Sequence, residues 1–86
     1  MPEISRFYGI LIAMFWAEHN PPHFHARYGE HRAAIEIGTL RVLDGWLPPR
    51  ALGLVVEWAS QHKEGLMSNW EDARNGKPLR KIEPLP

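Results

Sequence analysis

The spacing of apolar and polar positions changes at Pro48-Pro49. Before that point it follows the period of strands. Ile4 to Trp16 is rich in β-branched and aromatic residues, and Gly9 interrupts the run with a turn or bulge. One strand is predicted before Gly9 and a second across Ile10 to Trp16, apolar on both faces as a central strand must be. Asn20-Pro21-Pro22 cannot continue a sheet, because neither proline has an N–H for the ladder, so a rigid turn is placed there. His23 to Tyr28 then alternates, with His23, His25 and Arg27 on one face and Phe24, Ala26 and Tyr28 on the other. Gly29-Glu30 turns the chain, and His31 to Ile37 returns with Ala33, Ile35 and Ile37 on one face. Gly38-Thr39 turns it again, Leu40 to Leu43 adds a further strand, and Asp44-Gly45 leads out. Connections this short join antiparallel strands and cannot make parallel crossovers.

After Pro48-Pro49 the period is helical, and proline suits a first turn in which its missing N–H costs nothing. Leu52, Ala59, Leu66 and Ala73 recur every seven residues. Val55, Val56, His62 and Trp70 flank them, which makes one apolar stripe. The phase runs unbroken through Gln61-His62 and predicts one long helix from Pro49 to Asn75, stopped by Asn75-Gly76 and Pro78. Such a helix is ~40 Å long at 1.5 Å per residue, whereas short strands side by side span only ~15–20 Å. It must kink near Gln61–Gly65, overhang the sheet or pack against a partner. Residues 76–86, with Pro78, Pro84 and Pro86, form an extended tail. The expected fold is α+β: a small antiparallel sheet within residues 3–47, packed by a long, kinked C-terminal helix in a single domain spanning 1–86.

Composition narrows the function classes. Hydrophobic residues make up 44% of the 86 and charged residues 23%, close to globular averages, which excludes disordered and collagen-like chains. Ten basic and ten acidic side chains leave no net charge, so no overall field captures nucleic acid or an anionic membrane. The absence of cysteine excludes disulfides, a thiolate zinc site and a cysteine nucleophile. The longest apolar run, Ile10 to Ala17, has eight residues, against the ~20 that span a bilayer. No secretory signal pattern opens the chain, and a cytoplasmic protein without a membrane partner is expected.

The candidate chemistry lies in the histidines. Four of the five fall within thirteen residues: His19, His23, His25 and His31. His23 and His25, at alternate strand positions ~6.5–7 Å apart, can both reach one ion or one phosphate, and Arg27 extends their row. Three chemistries fit. His19, His23 and His25 are a candidate ligand set for a divalent metal such as zinc, which takes imidazole nitrogens at ~2.0–2.1 Å, with Glu18 or Glu36 nearby. Without a metal, His23 and His25 are candidate general acid and base for phosphodiester cleavage, since imidazole titrates near neutral pH, and Arg27 stabilises the developing charge. The third chemistry is binding of a phosphate or carboxylate alone. Set against all three, the histidines brace the Pro-Pro turn and pair with Glu18, Glu30 or Glu36. Phe15, Phe24 and the other strand aromatics either stack on bases or pack beneath the helix. Arg74, Lys77, Arg80 and Lys81 give the tail a basic character suited to RNA contact, or simply to a solvated terminus.

The opening Met1-Pro2-Glu3-Ile4-Ser5, the block His19-Asn20-Pro21-Pro22-His23-Phe24-His25-Ala26 and Leu47-Pro48 resemble a family of short bacterial proteins known as domain of unknown function 4160. Glu57-Trp58, His62, Asn69-Trp70 and Gly76-Lys77-Pro78-Leu79 continue the likeness; Gly65, where a helix former is expected, departs from it. The resemblance brings no catalytic residues. It implies a toxin–antitoxin component beside a small cognate protein. Two functions follow as expectations: a ribonuclease-like toxin using the histidine cluster, or a non-enzymatic interaction module that binds a partner, or itself, through its long helix and tail.

Overall fold

Alternating side chains produce strands throughout the first half of the chain. The computed structural model, which describes residues 2–86, contains β1 (Glu3–Phe7), β2 (Ile10–Ala13), β3 (His23–Tyr28), β4 (His31–Glu36) and β5 (Val42–Gly45). They pair in sequence order as one antiparallel meander. Met1, the first residue of the family-like opening, lies outside the described residues.

Two tight turns fix the register. Tyr8 and Gly9 both have positive φ, 51° and 80°, and connect Phe7 to its cross-strand partner Ile10. That backbone suits the twist of a hairpin. Gly29 (φ 61°) and Glu30 connect Tyr28 to its cross-strand partner His31, with positive φ only at the glycine. Counting back from the second turn sets Arg27 opposite Arg32 and His25 opposite Ala34.

Two strands differ from expectation. β2 ends at Ala13 rather than Trp16, because the chain leaves the ladder at Met14, whose N–H bonds the Pro2 carbonyl at 3.2 Å. β5 starts at Val42 rather than Leu40, since Leu40 (φ 62°) belongs to the preceding turn and donates to the Glu36 carbonyl at 2.8 Å. Gly45, expected as an exit turn, is inside β5; a Cβ there would collide with the Arg32 carbonyl oxygen.

The expected single long helix is two helices, α1 (Pro49–Ser60) and α2 (Lys63–Arg74), each of twelve residues. Gln61 (φ −90°, ψ −9°) keeps right-handed helical angles and His62 (φ −131°) leaves the helical path, and their N–H groups bond the Trp58 and Ala59 carbonyls at 3.1 and 3.0 Å. Packing accounts for the break: the longest dimension of the fold is 33 Å, shorter than the ~40 Å of an unbroken helix. Folding at His62 lets Val55, Trp58 and Ala59 of α1 and Leu66, Trp70 and Ala73 of α2 enter one core with Phe7, Ile10, Ile12, Phe24 and Ile35 of the sheet. The apolar stripe is therefore covered by its own chain, and the helical overhang that called for a partner is absent.

The tail from Lys77 onward has no helix or strand but is stitched to the core. Asn69 donates through Nδ2 to the Arg80 carbonyl at 2.8 Å and accepts from the Arg80 N–H at 2.9 Å. Ile82 donates to the Ile4 carbonyl at 2.8 Å, Trp58 donates to the Glu83 carbonyl at 2.8 Å, and Leu85 is buried. Helices and tail thus fill one face of the sheet, while Arg6, Arg27 and Arg32 on the other stay exposed.

Candidate functional site

The connection from β2 to β3 assembles the site. Ala17 takes a positive φ of 62°, and Glu18 follows it with its carboxylate directed at β3. Glu18 Oε1 lies 2.7 Å from His25 Nε2 and 3.6 Å from His23 Nε2. Alternation along β3 puts both imidazoles on one side, with ring centroids 5.1 Å apart. Glu18, His23 and His25 each offer one ligand atom, and the three atoms lie within 4.8 Å of one another.

The two histidines occupy different surroundings. His23 packs on the Trp70 ring at 5.2 Å, only 11% of its side chain is exposed, and its Nδ1 lies 2.8 Å from the Pro21 carbonyl oxygen. A carbonyl only accepts, so this Nδ1 carries the proton. His25 is more open, 33% exposed, with the Phe15 ring set edge-on at 4.7 Å. It lines a concavity of 280 Å³ on the open sheet face together with Leu11, Ala13, Phe15, Ala26, Arg27 and Arg32.

Arg27 and Arg32 face each other across β3 and β4. Like charges directly opposite on a sheet repel, and neither guanidinium has an ion pair or side-chain hydrogen bond among the described residues. Three of the neighbouring acidic groups are already engaged, whereas Glu30 in the β3–β4 turn and Asp44, opposite Ala34 on β5, form no ion pair among the described residues. Glu3 binds Arg6 at 2.8 Å, Glu36 binds Arg41 at 3.0 Å, and Glu18 binds His25. The hydrogen bond from Arg6 holds the Glu3 carboxyl below the ordinary glutamate value. The concavity is thus a cationic, partly apolar recess suited to an anion with a flat apolar portion.

Of the residues singled out from sequence, the structure brings His23, His25 and Arg27 onto one face, but only His25 and Arg27 line the concavity. His19 is exposed in the loop and lies outside the group of three ligand atoms, in which Glu18 stands instead. Arg74 is exposed at the end of α2, and Lys77, Arg80 and Lys81 are exposed along the tail. Lys77 is joined to the site's loop, because its carbonyl accepts the Trp16 indole N–H at 3.1 Å. Arg32 went unnoticed in the sequence. Its signal is the register of the Gly29-Glu30 turn, which pairs position 27 with position 32.

Neither a curated protein nor a solved structure matches the chain. A family model does match, over residues 9–71, from the first hairpin turn to the residue after Trp70. It spans Glu18, His23, His25, Arg27 and Arg32 and leaves out β1 and the basic tail. The chain therefore belongs to the family described as domain of unknown function DUF4160.

Proposed function

We propose that the open sheet face binds an RNA phosphodiester and cleaves it without a metal, as the toxin-like member of a toxin–antitoxin pair. The observation that carries this reading is the Arg27–Arg32 pair sharing one recess with His25, whose Nε2 lies 2.7 Å from the Glu18 carboxylate. The guanidiniums take the non-bridging phosphate oxygens. The ribose 2′-oxygen bonds to phosphorus as the bond to the 5′-oxygen breaks. The Glu18–His25 pair accepts the 2′ proton and returns one to the 5′-oxygen, leaving a cyclic phosphate. Phe15 offers a ring on which a base can stack. His23, held between Trp70 and the Pro21 carbonyl, stands beside the pair. Exposed Lys77, Arg80 and Lys81 extend the phosphate path. A chain of zero net charge can still bind RNA through such local concentration of charge, because counterion release depends on the phosphates contacted.

The purified protein, incubated with single-stranded RNA in EDTA, is expected to cleave it. His25→Ala and Glu18→Gln should lower the rate by ~10²–10⁴, the usual weight of general acid–base catalysis. Arg27→Ala and Arg32→Ala should weaken RNA binding and flatten its salt dependence. Full activity in folded His25→Ala overturns the reading. The alternative, a non-enzymatic module, draws support from the free edge of β5, beside which Trp46 is 57% exposed. An added strand from a cognate small protein would dock there, and co-purification abolished by a charge at Val42 would favour it.

A further inference from the structure

We infer that Glu18, His23 and His25 bind a divalent transition-metal ion of the zinc class, and that this ion inhibits the RNA reaction by occupying His25. The metal site stands on its own geometry; only the inhibition rests on the function proposed above.

The contact between His23 and Glu18 leads to this site. Because Nδ1 of His23 is used by the Pro21 carbonyl, Nε2 is the nitrogen left to face the Glu18 carboxylate oxygen 3.6 Å away. A nitrogen and a carboxylate oxygen so placed can both ligate one cation. A proton bridges such a pair at ~2.7–2.9 Å, and 3.6 Å is too long for a hydrogen bond. Two atoms bound to one tetrahedral ion at ~2.0–2.1 Å sit ~3.3 Å apart. The separations of 2.7 and 3.6 Å from Glu18 Oε1 bracket that value, and all three ligand atoms lie within 4.8 Å of one another, so side-chain adjustments at three residues bring them to one ion.

The surroundings match a metal site in two further respects. A metal-ligating histidine commonly gives its other N–H to a backbone carbonyl, which fixes the ring and raises the basicity of the ligating nitrogen. Pro21 does this for His23. Two imidazoles and one carboxylate form the donor set of zinc sites that keep a fourth position open, and here His25 borders the concavity. The apolar rings of Trp70 and Phe15 flank the two imidazoles. Once His25 Nε2 is a ligand it no longer shares a proton with Glu18, and the pair that carries the cleavage step is lost.

The test uses protein purified without a histidine tag and stripped by chelator, titrated with zinc against a chromogenic chelator and with cobalt(II) followed by its visible absorption. One equivalent of either ion is expected, together with the intense cobalt bands of low coordination number. Affinity should fall at least tenfold in Glu18→Gln and in His23→Gln, and remain unchanged in His31→Gln. Circular dichroism confirms that each variant is folded, and Glu18→Gln, in a loop, keeps the test intact if His23→Gln unfolds. Less than a tenth of an equivalent bound, or affinity unaltered by folded Glu18→Gln, overturns the site. RNA cleavage is then compared in EDTA and in saturating zinc. Loss of activity in zinc supports inhibition; equal activity with zinc bound overturns it. Absence of cleavage in both overturns the proposed function and the inhibition while the metal titration still decides the site.

Discussion

Asn69 gives the most direct test of how this small fold holds together. It is 1% exposed, and both ends of its amide are bonded to the backbone of Arg80, at 2.8 and 2.9 Å. Asn69→Ala removes both bonds and leaves an N–H and a carbonyl without partners. Each orphaned group costs ~1–3 kcal/mol if it stays buried. Because the Arg80 side chain is exposed, the tail can lift and let water in, so the lower half applies and the sum is ~2–3 kcal/mol. The whole fold is worth only ~4–13 kcal/mol at this length. With a urea m-value of ~1–3 kcal/mol per molar, the unfolding midpoint should fall by ~1–2 M. Asn69→Asp is a sharper probe, since the carboxylate still accepts from Arg80 but faces its carbonyl with no donor. Hydrogen exchange should show the amides of Arg80 and Ile82 losing protection while those of β3 and β4 keep theirs. A midpoint within ~0.2 M of the parent, or tail amides that exchange freely in the parent protein, would refute the reasoning.

The two buried tryptophans form a matched pair: Trp58 donates to the Glu83 carbonyl, whereas the Trp70 indole N–H is buried without a partner among the described residues. Trp58→Phe should therefore destabilise by ~1–2 kcal/mol more than Trp70→Phe in chemical denaturation, and equal losses would contradict this. Gly9 and Gly45 have almost the same φ, 80° and 81°, but only at Gly45 does a Cβ meet backbone, the Arg32 carbonyl. Gly9→Ala should carry the ~1–2 kcal/mol conformational cost alone, and Gly45→Ala should melt at a clearly lower temperature; coincident melting curves would sink the argument. Glu3 has its carboxyl lowered by Arg6, so its contribution is present above the unfolded value of ~4.3 and is lost as pH falls through the folded value. Arg6→Ala should flatten only this acid limb, and a change confined to alkaline pH would exclude the pairing.

Strands were legible because their signal is local. Alternation at His23–Tyr28, Gly29-Glu30 between two such runs and the proline barrier at Pro21-Pro22 each act over a few residues, and no long-range contact overrides them. The broken helix was not legible for the complementary reason. Gln61-His62 contains neither proline nor glycine, and Ala59, Leu66 and Ala73 are buried on both sides of it. The stripe keeps its phase while the backbone turns. What breaks the helix is the extent of the sheet it must cover, which no spacing within residues 49–75 records. The basic residues of the tail suit RNA contact or a solvated terminus; its anchoring depends on backbone groups and on Asn69, which carry no pattern.

The candidate site divides along the same line. His23 and His25 share a face by strand period alone, whereas Glu18 reaches them through a loop whose path depends on the left-handed turn at Ala17. Arg32 joins Arg27 by hairpin register, a relation that can be counted once both strands and the turn between them are known. Net charge is blind to all of this, because it counts groups without saying which neutralise one another. Here Glu3, Glu18 and Glu36 are occupied by Arg6, His25 and Arg41. Arg27 and Arg32, which have no ion pair among the described residues, stand side by side on the uncovered face, where like charges directly opposite repel. An anion between them would relieve that repulsion, and the nearest groups able to act on such an anion are His25 and the carboxylate bonded to it.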